Sequence, residues 1–261
     1  MTGQSEITAI VDALGLPDAA RIELRVPKKL LVEQGAPTSG DKRAIQEGID
    51  ELQWLATCKP TTIGVPTFVD DQREYLEIAV IGCAFRPEAK SGRLIELIHR
   101  AVPYPVVLIT SDANGVMMSV AQKRRAQNEA DSFVVERVVS VGGLKVGGES
   151  DYEHAFLHSL ALPQQPRRDL LALYEGWLSR IEALAAARLS GRFEVMDETA
   201  LIARRRTALG EHAILAREVA KLRAHAARVK QISQRVDLNQ KIKAIELSMD
   251  HNKKLMLGER L

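Results

Sequence analysis

AVPYPVVLITSDANGVMMSVAQKRR, residues 101–125, decides how the first half of this chain folds. Two apolar, β-branched runs, Pro105 to Thr110 and Val116 to Gln122, flank the polar stretch Ser111 to Gly115. Branched side chains favour extended backbone, and Asn114-Gly115 supplies the positive φ that a tight two-strand turn requires. The reading is therefore a β-hairpin, with Pro103 and Pro105 fixing its entry. Its second strand runs out into Lys123-Arg124-Arg125. Cations at a strand exit either protect a sheet edge from aggregation or offer donors to phosphate.

Working outward, strands and helices alternate. Glu6 to Leu14 reads as a short helix closed by Gly15 and Pro17, and Arg21 to Val26 as a strand ended by Pro27. From Asp41 to Thr57 the apolar positions Ala44, Ile45, Ile49, Leu52 and Leu55 recur at helical spacing, so one helix is expected, with Asp41 as its N-cap. LEIAVIGCAF, residues 76–85, is a buried strand, and Leu94, Ile95, Leu97 and Ile98 supply a helical face before the hairpin. Phe133 to Val141 is a further strand, followed by two glycine pairs. The order β-α-β-α-β-β-β points to an α+β fold, a mixed β-sheet with helices on one face, over residues 1–162.

After Pro163 and Pro166 the pattern becomes helical, and residues 163–261 read as a basic helical hairpin or coiled-coil region. Leu170 to Leu189 forms one helix, stopped at Ser190-Gly191. Leu215, Val219, Leu222, Ala226 and Val229 then step by four and three residues, as an apolar seam requires. The phase resets at Leu238, Ile242, Ile245 and Met249, which places a turn near Asp237.

Charge is distributed unevenly along the chain. From Gln165 onward there are 19 Lys+Arg against 12 Asp+Glu, a balance of +7, while the remainder holds 17 against 22, or −5. A cationic half suits a polyanion partner, although a solvated helix face has the same composition. The two cysteines, Cys58 and Cys83, sit in apolar neighbourhoods and read as reduced core thiols. The apolar runs are too short to span a bilayer and the start lacks the pattern of a secretion signal, so a cytoplasmic protein without membrane association is expected.

Most enzyme signatures are missing. No Gly-x-Gly-x-x-Gly, Walker loop or Gly-x-Ser-x-Gly elbow occurs, and no cofactor is expected. Lys145, between the glycine pairs, has the wrong setting for a phosphate loop. His154 and His158 share a helical face, but Glu153 precedes them and a third metal ligand is lacking. A magnesium-dependent nuclease would need an acid on one strand and an acid-x-lysine pair on the next. Asp70, Asp71 and Glu77 supply acids, yet Ile78-Ala79 follows Glu77 where the lysine should stand.

The stretches VPKKLL (26–31), IQEGIDELQWLATCKPTTI (45–63), LEIAVIGCAF (76–85), VPYPVVLI (102–109), VAQKRR (120–125) and LNQKIKAIELSMDH (238–251) together resemble the bacterial domain-of-unknown-function 4391 family. The strand with Glu77 departs from the family's more polar version. The resemblance implies a non-catalytic accessory subunit of a prokaryotic DNA-processing or phage-defence system of the restriction-modification kind. Its partners would be nucleic acid, DNA before RNA, and a helicase or methyltransferase, with self-association through the C-terminal helices. A divergent metal-dependent nuclease and a purely structural oligomer are the rival expectations. The residues expected to contact nucleic acid are Lys123, Arg124, Arg125, Arg204, Arg205 and Arg206, all of them expected on the surface.

Overall fold

A computed structural model of the chain describes residues 3–126, 133–144 and 150–259, and divides them into two compact units, residues 1–181 and 182–261. The first unit is organised by a six-stranded mixed sheet. Helix α1 (Gly3–Ala13) and a 3-10 turn lead into strand β1 (Arg21–Arg25), followed by α2 (Lys28–Gly35) and α3 (Ser39–Gly48). Strand β2 (Ile49–Cys58), the short helix α4 (Pro60–Ile63) and a small ribbon of β3 (Phe68–Val69) and β4 (Glu74–Tyr75) come next. Then β5 (Ile78–Phe85), α5 (Ser91–Ala101), β6 (Val106–Asp112), β7 (Gly115–Arg125) and β8 (Phe133–Leu144) complete the sheet, and α6 (Asp151–Ser159) follows.

The strand order is β1-β2-β5-β6-β7-β8. Only β5 and β6 are parallel, joined by the α5 crossover, and the other neighbours pair antiparallel. The hairpin forms as expected: Asp112 pairs with Gly115, whose φ of 108° needs glycine. β5 is buried along nearly its whole length. Ala79, Ile81 and Cys83 point to one face and pack with Leu94, Leu97 and Ile98 of α5, Ile45 of α3 and Leu31 of α2. The opposite face holds Val80, Val107, Met118 and Val120 and is met by α1, whose Ile7 lies beside the α-carbon of Gly82.

Helix α7 (Leu170–Ser190) covers that second face as well. Gln122 donates to Glu175 at 2.9 Å, and the Tyr174 hydroxyl accepts from Ala121 N–H at 2.8 Å and donates to Val106 C=O at 2.8 Å. It thus satisfies backbone groups where β6 and β7 part company. Trp177 donates its indole N–H to Leu160 C=O and is fully buried. Helices therefore lie on both faces of the sheet, which corrects the expectation of one covered face. The apolar alternation of β5 and β6 already demanded two covers, because inward and outward positions are both apolar.

A second correction concerns residues 41–57. The helix ends at Gly48, and residues 49–58 pair as a strand with both β1 and β5. Thr38, not Asp41, is the N-cap: its hydroxyl accepts from Asp41 N–H at 3.1 Å. The Asp41 carboxylate instead receives the Arg93 guanidinium of α5 at 2.9 Å, and that pair holds the carboxyl down at about 2.

In the second unit, α8 (Thr199–Ala226) and α9 (Ile232–Met256) pack against each other as an antiparallel hairpin. Arg205, Ala208, His212, Leu215, Val219, Leu222 and Ala226 are the buried or half-buried line of α8, and Leu238, Ile242, Ile245, Met249, Asn252 and Met256 that of α9. Both step by three and four residues. The chain reverses at residues 227–231, not near Asp237, which lies within α9, while Val236 is exposed.

Candidate nucleic-acid interface

The basic end of the hairpin splits three ways. Lys123 is 5% exposed, and its ammonium donates to the carbonyls of Val102 and Tyr104, both at 2.6 Å, at the C-terminal end of α5. It is a cation set where a helix leaves its last carbonyls unpaired. Burial pulls its pKa down to about 7. Beside it, His99 is fully buried, with Nε2 3.0 Å from Ser119 Oγ, and burial followed by the Lys123 charge lowers its pKa to about 3. Its Nδ1 has no hydrogen-bond partner among the described residues. The tautomer that donates from Nε2 to Ser119 leaves only an acceptor bare, the cheaper orphan, and keeps the ring neutral. Arg124 pairs with Glu136 of β8 at 3.0 Å, and Arg125 with Glu74 of β4 at 2.6 Å. The expected surface exposure of Lys123 is corrected: its stem crosses apolar packing to reach two backbone oxygens.

The arginine run of α8 divides in the same way. Arg205 is 1% exposed and donates to Met256 C=O at 2.9 Å and to Glu194 C=O at 2.7 Å, so it too is an interior residue. Arg206 meets both oxygens of Glu182, at 2.9 and 3.3 Å. Arg204 is half-buried. The six residues thus fall in two different units, and two of them serve the interior of their own unit.

A stronger cationic surface lies at the turn of the α8–α9 hairpin, which sequence reasoning passed over. Between Lys221 and Lys243 there are seven Lys and Arg residues and a single acid, Asp237. Lys221, Arg223, Arg228, Lys230, Arg235, Lys241 and Lys243 are all exposed. Arg223 pairs with Glu246 at 2.6 Å. The signal was present in the charge count but was averaged over the whole C-terminal half.

The acids considered for metal chemistry do not converge. Asp70 accepts from the backbone N–H groups of Gln72 and Arg73 and shapes a turn. Glu153 closes a capping box with Ser150 at the start of α6, while His154 and His158 are exposed. Among the described residues no three of His, Cys, Asp and Glu come together. Cys58 and Cys83 are buried free thiols, pushed upward in pKa by burial. Lys145 lies outside the described residues. Among the described residues no helix is long and apolar enough to cross a membrane.

No curated protein and no solved structure matches the chain. One family model does, that of the domain of unknown function DUF4391, over residues 14–248, and the span covers both units almost entirely. The chain belongs to the DUF4391 family.

Proposed function

We propose that the protein is a non-catalytic accessory subunit that holds nucleic acid within a prokaryotic DNA-processing or phage-defence assembly. The observation that carries this reading is the hairpin turn, where seven basic side chains stand exposed with Asp237 as the one acid of the segment and Glu246 pairing with Arg223 from α9. Such a density of solvated cations attracts a polyanion and releases its condensed counterions on contact. The three-four stepping of both buried lines further supports reading α8 and α9 as a short coiled-coil pair, a rigid mount for that turn. A helicase or methyltransferase partner is what the family resemblance implies, and the cytoplasmic setting rests on the short apolar runs and the absence of a secretion-signal pattern in the sequence.

The test is direct. The full-length protein, purified with nuclease treatment, is titrated into labelled DNA and RNA at low salt. Binding that weakens steeply with added salt supports the reading. No binding to any nucleic acid at low salt defeats it.

A further inference from the structure

We infer that the α8–α9 turn recognises double-stranded DNA in particular, gripping the phosphate backbone and the floor of the major groove; this rests on the nucleic-acid reading above. The composition of the second unit carries the argument. No Phe, Tyr or Trp follows Phe193, and His225 is the one ring near the turn, so the hairpin lacks the row of large aromatic side chains on which successive unpaired bases stack. Proteins that hold single strands without base readout depend on such platforms. Besides its cations and aliphatic groups the turn offers the amides of Gln231 and Gln234, the hydroxyl of Ser233 and the single imidazole of His225.

The placement of those groups selects among duplexes. Arg228 and Lys230 lie in the turn, Lys221 and Arg223 in the last turns of α8, and Arg235 in the first turn of α9. Among them Ile232 is 70% exposed and Val236 47% exposed. The packed pair is too wide for a groove. The first turns of α9, which carry Ile232, Arg235 and Val236, form a single helix roughly 10–12 Å across, and the major groove of B-form DNA is about 12 Å wide. Helix α9 therefore enters while the cations of α8 meet the backbone at the rim. The A-form groove of duplex RNA is too deep and narrow for side chains to read. Thymine methyl groups line the DNA groove and suit contact with an aliphatic side chain, whereas uracil lacks them. Cations at the rim and an isoleucine between them match a groove bordered by phosphates and floored by methyl groups.

The experiment compares three fluorescent probes of one sequence, duplex DNA, single-stranded DNA and duplex RNA, by anisotropy across a salt series. Duplex DNA should bind about tenfold tighter, or more, than the other two. The variant Lys221→Gln, Arg228→Gln, Lys230→Gln, Arg235→Gln should flatten the log–log salt slope on duplex DNA by about 3 to 4. If that variant loses helicity in circular dichroism, the pair Arg228→Gln, Lys230→Gln, confined to the turn, should flatten it by about 2. Equal or tighter binding of single strands or of RNA overturns the duplex-DNA assignment while leaving the nucleic-acid reading intact. Unchanged affinity and slope in a folded turn variant removes the turn as the site. Binding of none of the probes overturns both.

Discussion

Lys123 offers the sharpest test of the reading that it belongs to the interior. The perturbation is Lys123→Met, which keeps most of the side-chain volume and removes the ammonium. In the folded chain burial lowers the lysine pKa from 10.5 to about 7, and the unfolded chain keeps the ordinary value. Between these values the unfolded state binds more protons than the folded one, so stability rises with pH from about 7 toward 10.5, while below 7 the buried charge exerts its full cost and this group adds no pH dependence. Integrating the shift from pH 7 to pH 9 gives about 2 kcal/mol of extra stability for the wild type that the methionine variant lacks. The ionisation of Cys58 and Cys83 in the unfolded state above pH 9 is common to both proteins and drops out of the comparison. The assay is urea unfolding of both proteins at a series of pH values, read by circular dichroism. Parallel stability profiles between pH 7 and 9 would refute the reasoning. So would a variant within about half a kcal/mol of wild type at both ends of the range, the behaviour of a solvated surface lysine.

Three further outcomes are expected. Val219→Asp places a carboxylate at a buried position of α8 and should destabilise by several kcal/mol, visible as a loss of helicity on heating; an unchanged melting curve would count against the hairpin interface. Gly35→Ala should cost about 1–3 kcal/mol in chemical denaturation, because a methyl group there would sit 2.6 Å from Ala101 Cβ and 2.9 Å from Leu97 C=O; a neutral result would mean that α2 and α5 pack less closely than described. Thr38→Ala removes the cap of α3 and should cost about 1 kcal/mol, whereas Thr38→Ser should restore it, and a failure of that rescue would argue against capping.

Much of the sheet could be read from residues 76–141, because each strand there is a run of branched apolar residues bounded by proline, glycine or Asn-Gly. β2 could not. Its pairing with β5 shifts register between Ile49 and Glu51 and again between Trp54 and Ala56. Each shift resets the side-chain alternation, so the buried positions Ile49, Leu52 and Ala56 are spaced as on a helix before the strand ends in the buried pair Thr57 and Cys58. Continuity with the true helix ending at Gly48 completed the disguise. The hairpin turn was misplaced for a different reason: no glycine or proline occurs between Gly210 and Gly258, so only the packing of two apolar lines fixes where the chain reverses. At the candidate interface, residue type alone could not separate the cations that bond to backbone carbonyls from those that face solvent. Lys123 and Arg205 stand in runs of like residues that are half-buried or exposed, and it is the direction of one strand residue and one helix residue that sends them inward.

The hydroxyl of Tyr174 bears on how the chain can be divided in the laboratory. It occupies the point where β6 and β7 no longer bond to each other, using a side chain from α7, some fifty residues downstream of Ala121. A fragment cut in the Pro163–Pro166 connector, where the sequence invites a boundary, would strip the sheet of that hydroxyl and of the Trp177 indole. Val106 C=O and Ala121 N–H would be left without their partner, and a broad apolar surface would meet water. Such a fragment is expected to aggregate during expression, while one extended through residue 181 keeps both side chains and is expected to stay soluble.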